Sequence, residues 1–237
     1  MKTKLLVLLT VSATLFAAST ALAQTPASTP AAAAPAPDAA ALYQRSLESL
    51  QAKKIKEAIE LAEQAVKADP TKADYYAHLG VAISSRMGEV NFMQAAALSG
   101  KLRKAFEKAV ELDPKHVGGL IGLVRYYSNA PEIAGGSPAK AKEFAERVVA
   151  IDPLLGQVEL GRLAEKAEDY AGALSHYDAA AKLKPDSSGM AFASGRMLVK
   201  LGKKDEARTR FEKALALKPD HEQAKKALAD LDAPAAK

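Results

Sequence analysis

The feature that most constrains the fold of this chain is a segment that occurs twice in succession. Residues 160–185 read LGRLAEKAEDYAGALSHYDAAAKLKP, and residues 194–219 read SGRMLVKLGKKDEARTRFEKALALKP. Each copy has a small residue, then an alanine twelve positions later, an aromatic residue, a second alanine and a closing proline. Small residues let two helices approach closely, and a proline ends a helix because it lacks a backbone N–H. The pattern therefore predicts an antiparallel helical hairpin.

The closing prolines set the register of the repeats along the chain. Successive closing prolines are 44, 39, 32 and 34 residues apart. These prolines are Pro70, Pro114, Pro153, Pro185 and Pro219. We expect five hairpins, at about residues 39–72, 73–116, 117–153, 154–187 and 188–219. After the last proline, one apolar stripe predicts a capping helix over residues 220–231, and the stripe consists of Ala224, Ala227, Leu228 and Leu231. A short tail follows at residues 233–237.

These residues resemble the tetratricopeptide repeat (TPR), a helix-turn-helix unit of about 34 residues. The resemblance covers about 195 of the 237 residues, although Leu102, Val124 and Val148 stand where smaller residues are usual. It implies an all-α, right-handed superhelical solenoid of about five hairpins plus a C-terminal capping helix. The chain is similar to exported bacterial TPR proteins that share a long second repeat and the stretch AP-x-IAGGS-x-x-KA, here at residues 130–141. No reaction is assigned to that group, so the resemblance implies an architecture and not a chemistry.

Two repeats are longer than the template. In the second repeat the extra residues lie within SRMGEVNFMQAAALSGK, where Asn91 is a candidate N-cap. The apolar face continues upstream through Phe92, Met93, Ala96 and Leu98, which favours an extended second helix over an irregular loop. In the third repeat the excess lies at residues 129–138. Ser137 as N-cap and Pro138 at the first helical position predict a helix start there.

The N-terminal residues have the composition of a targeting segment. Residues 1–23 carry Lys2 and Lys4, a short apolar run and small residues ending in Ala23, which is typical of a secretory signal peptide cleaved before Gln24. The alternative is an uncleaved anchor, but the run is shorter than the ~20 residues that a spanning helix needs. Residues 24–38 are rich in Pro and Ala and predict a disordered tether. We expect a periplasmic protein with no membrane span in the mature chain.

Composition argues against nucleic acid as a partner. The formal net charge is +5 for the whole chain and falls to +3 without residues 1–23. Basic and acidic residues alternate along the helices, as in KLRKAFEKAVELD, and such alternation is typical of solvated helix faces. No nucleic-acid-binding motif accompanies the charge.

The sequence also lacks the residue patterns typical of enzymes and cofactor sites. It contains no cysteine, no His-Glu-x-x-His, no Gly-x-Ser-x-Gly and no phosphate-loop motif. The four histidines fall in different repeats without the spacing of metal ligands: His78, His116, His176 and His221. We therefore expect no catalytic residue, no metal and no cofactor.

The turn at residues 134–137, Ala-Gly-Gly-Ser, allows two interpretations. Backbone N–H groups at a helix start bind anions in many proteins. The simpler interpretation is that Gly135 and Gly136 let the inserted loop turn sharply before a capped helix, and it is favoured because Lys140 is the only cation beside the turn.

In TPR arrays the first helices line a concave groove, and the residue after the small position points into it. The resemblance thus implies a groove with an apolar first half and a basic second half, formed by Tyr43, Leu47, His78, Val81, Arg125, Arg162, Lys166, Phe192, Arg196 and Lys200. Arginines in series suit a peptide with an apolar anchor and a carboxylate-bearing end. The alternative is that each arginine pairs with a local acid, such as Arg162 with Glu159 or Glu165, and attracts nothing.

Three functions are compatible with these observations. The favoured one is a non-catalytic adaptor that binds a protein or peptide in the groove. The others are a periplasmic binder of a small ligand or cell-wall fragment, and an accessory subunit of an envelope enzyme complex.

Overall fold

The computed structural model describes residues 38–232, which form eleven α-helices and one 3-10 turn. The helices are Ala39–Gln51 (α1), Ile55–Ala68 (α2), Ala73–Met87 (α3), Phe92–Leu112 (α4), Val117–Asn129 (α5), Pro138–Val149 (α6), Pro153–Lys166 (α7), Tyr170–Leu183 (α8), Ser188–Lys200 (α9), Lys204–Leu217 (α10) and Glu222–Asp232 (α11). The turn, Glu132–Ala134, lies between α5 and α6. The expected signal peptide, most of the tether and the tail lie outside the described residues.

The helices form an all-α solenoid, as the sequence predicted. Each odd-numbered helix from α1 to α9 packs on the helix that follows it, and each even-numbered helix packs on the start of the next pair. The first helices of successive hairpins also touch, with contacts from α1 to α3, α3 to α5 and α5 to α7. We call their shared face the groove. Within the described residues, helix α11 packs mainly on α10, as expected of a terminal helix.

Side-chain caps determine where the two longer repeats place their second helices. Asn91 caps the 21-residue helix α4 by accepting from the Gln94 N–H at 3.0 Å, so the insertion in repeat two is indeed helical. Ser137 caps α6 and Pro138 occupies its first turn, as predicted. The insertion in repeat three is the loop and 3-10 turn that precede this cap.

Pro153 differs from the role that the repeat register gave it. The other four marker prolines follow the end of a second helix, but Pro153 is the first residue of α7. Helix α6 ends at Val149, and the side chain of Asp152 caps α7 by accepting from the Leu155 N–H. A proline is well suited to this position because the first N–H of a helix has no intrahelical partner. The 32-residue proline spacing, two residues below that of the next repeat, therefore reflects the early end of α6 and the position of Pro153 inside α7.

Aromatic wedges explain why small residues recur on the first helices. A Cβ atom at Gly122 would lie 2.4 Å from the Phe106 ring, and one at Gly80 would lie 2.6 Å from it. Tyr177 fills the same position against Gly161, and Phe211 against Gly195, at 2.7 and 2.5 Å. Each ring thus occupies the volume that a side chain on the facing helix would take. Repeats one and three carry alanine there instead, at Ala62 and Ala145, and both are buried.

The close crossing at Ala207 gives a test of the register. Ala207 is fully buried beside Leu198 and Phe211. Ala207→Leu should lower the free energy of unfolding by about 1–3 kcal/mol through overpacking, measured by urea denaturation. Ala216→Leu, on the exposed side of the same helix, is the matched control and should change little. Equal stability of the two variants would contradict the assigned packing.

None of the helices within residues 38–232 combines the length and apolar character needed to cross a membrane.

Candidate partner-binding surface

Charge is distributed unevenly between the two halves of the groove. Helices α1 and α3 each carry one acid and one arginine. Helices α5, α7 and α9 carry two acids, Glu159 and Glu165, against five basic residues: Arg125, Arg162, Lys166, Arg196 and Lys200. The second half of the groove therefore has an excess of three positive charges.

Two of the predicted arginines share one buried carboxylate. Glu159 is 4% exposed, and its Oε1 accepts from Arg125 at 3.0 Å and from Arg162 at 2.8 Å. Both arginine side chains remain more than half exposed. The alternative of local pairing thus holds only in part. Both arginines have an acidic partner, but one carboxylate neutralises only one of the two guanidinium groups.

Arg196 is paired with a single acid. It donates to both carboxylate oxygens of Glu165, at 2.6 and 2.8 Å, across the α7–α9 gap. The hydroxyl of Tyr177 donates to the same carboxylate at 2.9 Å. Burial, together with this bond, raises the pKa of Tyr177 well above its ordinary value, so the hydroxyl stays a donor. This pair neutralises Arg196 and joins α7 to α9.

The lysines of the groove have neutral partners. The Lys166 ammonium donates to the backbone carbonyl of Ser128 and, at 2.9 Å, to the side-chain oxygen of Asn129. Lys200 lies over the ring of Tyr170, with its ammonium 5.7 Å from the ring centroid. These contacts leave both charges uncompensated and place them on the surface.

The first half of the groove is partly closed by its own packing. Tyr43 stacks on Tyr75 with ring centroids 4.7 Å apart, and Leu47 is half-buried. Val81 is 46% exposed. In the second half, Phe192 is half-buried between Phe211 and His221, with centroids 5.6 and 4.9 Å away. Val81 is therefore the most accessible of the apolar residues that the sequence assigned to the groove.

His78 was assigned to the groove, but the structure buries it. It is 7% exposed, and its Nε2 lies 2.8 Å from the hydroxyl of Ser46. That hydroxyl donates to the carbonyl of Ala58 at 2.6 Å, so His78 must donate to it through Nε2–H. The imidazole joins the first two hairpins and is not available to a partner.

The burial of His78 makes stability depend on pH. Burial lowers its pKa below the ordinary value, and this outweighs the contact with Ser46, which raises it. Between the lowered pKa and about 6.5 the unfolded chain binds the proton more readily, so unfolding becomes easier as pH falls through this range. We expect His78→Phe to remove part of the slope of unfolding free energy between pH 5 and 7.5, at most about 1.4 kcal/mol per pH unit. An identical slope in wild type and variant would contradict this.

The structure adds a cleft that the repeat pattern did not predict. Helices α3, α4 and α5 and the 3-10 turn enclose about 900 Å³. Its walls are mostly apolar or small, and include Val81, Phe92, Ala96, Gly118, Ile121 and Ile133. Arg125 and Asn129, both on α5, also line it. Both insertions contribute to this cleft, and their unusual length was the only signal of it in the sequence.

The apolar face of the α4 extension has a different role from the one expected. We predicted that Phe92 and Met93 continue the apolar face of the helix, but both are 76% exposed. Ile133, across the cleft, is 98% exposed. Large apolar side chains clustered on a surface are typical of interaction sites.

The glycine turn has the simpler of its two interpretations. The N–H groups of residues 134–137 all donate to backbone carbonyls, those of Tyr127, Pro131 and Glu132. Gly135 has φ of 89°, and a Cβ atom at Gly136 would lie 1.8 Å from the carbonyl oxygen of Ala130. The glycines are required by the turn, and these four N–H groups are not free to bind an anion. Within residues 38–232, no three His, Asp or Glu side chains are grouped so that they could hold a metal ion.

Comparisons with known proteins agree with this architecture. Patterns described as tetratricopeptide repeat match residues 158–222 and 192–231, and residues 39–72. Anaphase-promoting complex subunit 3 of Schizosaccharomyces pombe is 29% identical over 122 residues, which are 51% of this chain and 18% of that protein. The chain thus spans less than a fifth of the length of this curated relative.

Solved structures with a similar fold include two TPR proteins and a segment of MamA. A thermophilic TPR protein of Thermus thermophilus matches with a TM-score of 0.61 at 16% identity, over 82% of this chain and 98% of its own. The 41-to-end segment of MamA from Desulfovibrio magneticus RS-1 gives 0.59 at 19%, over 78% and 98%. YrrB, described as a TPR protein with an unusual peptide-binding site, gives 0.54 at 17%, over 80% and 91%.

Residues 39–72 and 158–231 thus match tetratricopeptide repeats, and the described chain shares the fold of solved tetratricopeptide-repeat proteins. This class of helical solenoid serves in general as a scaffold for interactions between proteins, without a catalytic site of its own.

Proposed function

We propose that this protein is a non-catalytic adaptor that binds a protein or peptide in its concave groove in the bacterial cell envelope. The observation that carries the proposal is the groove itself. Its second half has an excess of three positive charges, and the apolar cleft adjoins it at Arg125. A partner with an acidic or carboxylate-bearing segment beside an apolar one matches this surface. Arg125, Arg162, Lys166 and Lys200 supply the exposed charge.

Co-purification from an envelope extract tests the proposal. We expect a protein to be recovered in a stoichiometric amount, and its affinity to fall as salt rises, because the Debye length is only ~10 Å at 0.1 M. Lys166→Gln with Lys200→Gln should weaken binding, since these two lysines contact no acid in the described structure. Lys182→Gln with Lys213→Gln removes the same charge from exposed positions on second helices. Equal losses from the two pairs would mean that only the total charge matters.

A second candidate function is the binding of a small ligand or cell-wall fragment. The cleft supports it, because about 900 Å³ is within the usual size of small-molecule sites. Mass spectrometry of the purified protein separates the two. A bound small molecule with no protein recovered would favour this candidate, and the reverse would favour the adaptor.

The envelope location is part of the proposal and is supported by the composition of residues 1–23. If they are a cleaved signal peptide, the protein isolated from the periplasm should begin at or next to Gln24. N-terminal sequencing checks this, and a soluble protein that begins at Met1 or Lys2 would contradict export by this route.

A further inference from the structure

We propose that the cleft built by the two insertions is a docking site for a short amphipathic helix of a partner protein that carries an acidic residue opposite Arg125. The cleft is defined by helices α3, α4 and α5 and the 3-10 turn Glu132–Ala134. The inference rests on the proposed function, since it names the part of the partner that is recognised and the place where it binds.

The backbone around the cleft favours a helix over an extended peptide. Three of its walls are α-helices, whose N–H and C=O groups are already bonded within each helix. An extended peptide would bury its own polar backbone against mostly apolar side chains and find few partners. Even Ser85, one of the few polar groups of the lining, donates to the carbonyl of Val81. A helix satisfies its backbone internally and loses nothing in such a site.

The shape of the cleft also matches a helix. Small residues face it from two sides, Ala95, Ala96 and Ser99 on α4 and Gly118 on α5, so that a third helix can approach closely. The lining of α4 extends from Phe92 to Phe106, a length of about 21 Å at 1.5 Å per residue. The site thus takes about four turns, with apolar residues at positions i, i+3 or i+4, and i+7.

The rim of the cleft carries exposed apolar side chains that the apolar face of a partner helix would cover. Phe92 and Ile133 line opposite sides and expose 76% and 98% of their surface. Removing such side chains from water against a partner would stabilise the complex. The helix would therefore be held on both sides by apolar contacts.

The charge of Arg125 specifies the acidic residue of the partner helix. Arg125 lines the cleft, is 57% exposed and shares its only acidic partner in the described structure with Arg162. Asn129 lies beside it and accepts from Lys166, whose charge is not neutralised by an acid there. One Asp or Glu on the incoming helix would pair with Arg125 in a charge-assisted bond. Among the described residues, Arg125 is the one charged residue of this lining, so the acid of the partner has a single place to pair.

Selection from a peptide library tests the inference. The full chain is used to select from displayed helix-forming peptides about 16 residues long, since shorter isolated helices are marginal in water. We expect the enriched peptides to share the i, i+3 or i+4, i+7 apolar spacing and one acidic residue at a constant position relative to it. Enrichment of proline-rich or extended motifs, or no enrichment at all, would overturn the inference.

Matched variants locate the site of the selected peptide. Ala96→Arg places a bulky charge in the cleft, whereas Ala97→Arg makes the same change one residue along, where the side chain faces the separate depression beside α2. Both residues are exposed, so neither change should disturb folding. We expect the first variant to weaken binding at least about tenfold and the second to leave it unchanged. Equal affinities of the two variants would overturn the inference.

Arg125→Gln tests the acidic contact. It should lower the affinity for the selected peptide by about tenfold. The affinity for the same peptide with its acid changed to Gln should not change, because only the first peptide has a charge to pair. Arg162 still pairs with Glu159 in this variant, and an unchanged melting temperature verifies it. If Arg125→Gln weakens both peptides equally, the proposed contact is wrong.

Two further outcomes separate this inference from other possibilities. Flotation with vesicles of phosphatidylcholine and phosphatidylglycerol that depends on Phe92 and Ile133 would show a lipid surface as the occupant and overturn the inference. In the envelope extract, a partner that is lost with Lys166→Gln and Lys200→Gln but retained with Ala96→Arg would leave the proposed function intact and reject the cleft as its site. A partner lost with Ala96→Arg but not Ala97→Arg supports both.

Discussion

Phe106→Ala is expected to lower the free energy of unfolding by about 3–5 kcal/mol, the usual cost of deleting a buried aromatic side chain. The Phe106 ring is 4% exposed and fills the space left by two glycines, Gly80 on α3 and Gly122 on α5. Glycine has no side chain that could move into the space left by the deleted ring, so a cavity would remain. Urea denaturation followed by circular dichroism measures the loss.

Phe92→Ala is the matched control for this change. Both phenylalanines are on α4, but Phe92 is 76% exposed. The same deletion there should change stability by no more than about 0.5 kcal/mol, as for most surface positions. Similar losses at the two positions would mean that Phe106 is not the wedge between the second and third hairpins.

The double variant Arg125→Gln, Arg162→Gln should lose more stability than the two single variants together. Either arginine alone still pairs with Glu159, whose side chain is 6% exposed. Removing both leaves a buried carboxylate with no charged donor, at a cost of about 3 kcal/mol. Each single change should cost little, since more than half of each arginine side chain is exposed.

Glu159→Gln provides the rescue that identifies the cause. Added to the double variant, it removes the buried charge and should restore most of the lost stability. Additive single and double effects, or no recovery with Glu159→Gln, would contradict this account. The same result explains why the groove arginines are poor targets for a binding test in combination, and why Lys166 and Lys200 are better ones.

The arginines also show how a repeat protein can use one residue for two purposes. Arg125 and Arg162 hold Glu159 at the α5–α7 contact, and they present a net positive charge on the surface. Arg196 is fully engaged by Glu165 and contributes mainly to packing between α7 and α9. The three arginines predicted in series are therefore not equivalent, because Arg125 and Arg162 share Glu159 whereas Arg196 has Glu165 to itself.

The sequence by itself determined the all-α solenoid and the positions of most helices. Small residues, aromatic residues and prolines recur at intervals that only a helical hairpin satisfies, and local hydrogen bonds determine the caps at Asn91 and Ser137. These signals are short-range, so they can be recognised without knowing which helices meet. Pro153 was misplaced because proline suits the position after one helix and the first position of the next equally well.

Only the tertiary structure decided which side chains are available to a partner. The periodicity of α3 does not distinguish His78, which bonds to Ser46 on another hairpin, from Val81, which faces solvent. In the same way, Glu159 is shared by arginines 34 residues and 3 residues away. The cleft requires two insertions from different repeats to meet, and the exposure of Phe92 follows from the absence of a covering element in the described chain. Contacts between distant segments depend on how the hairpins stack, and no local pattern encodes that.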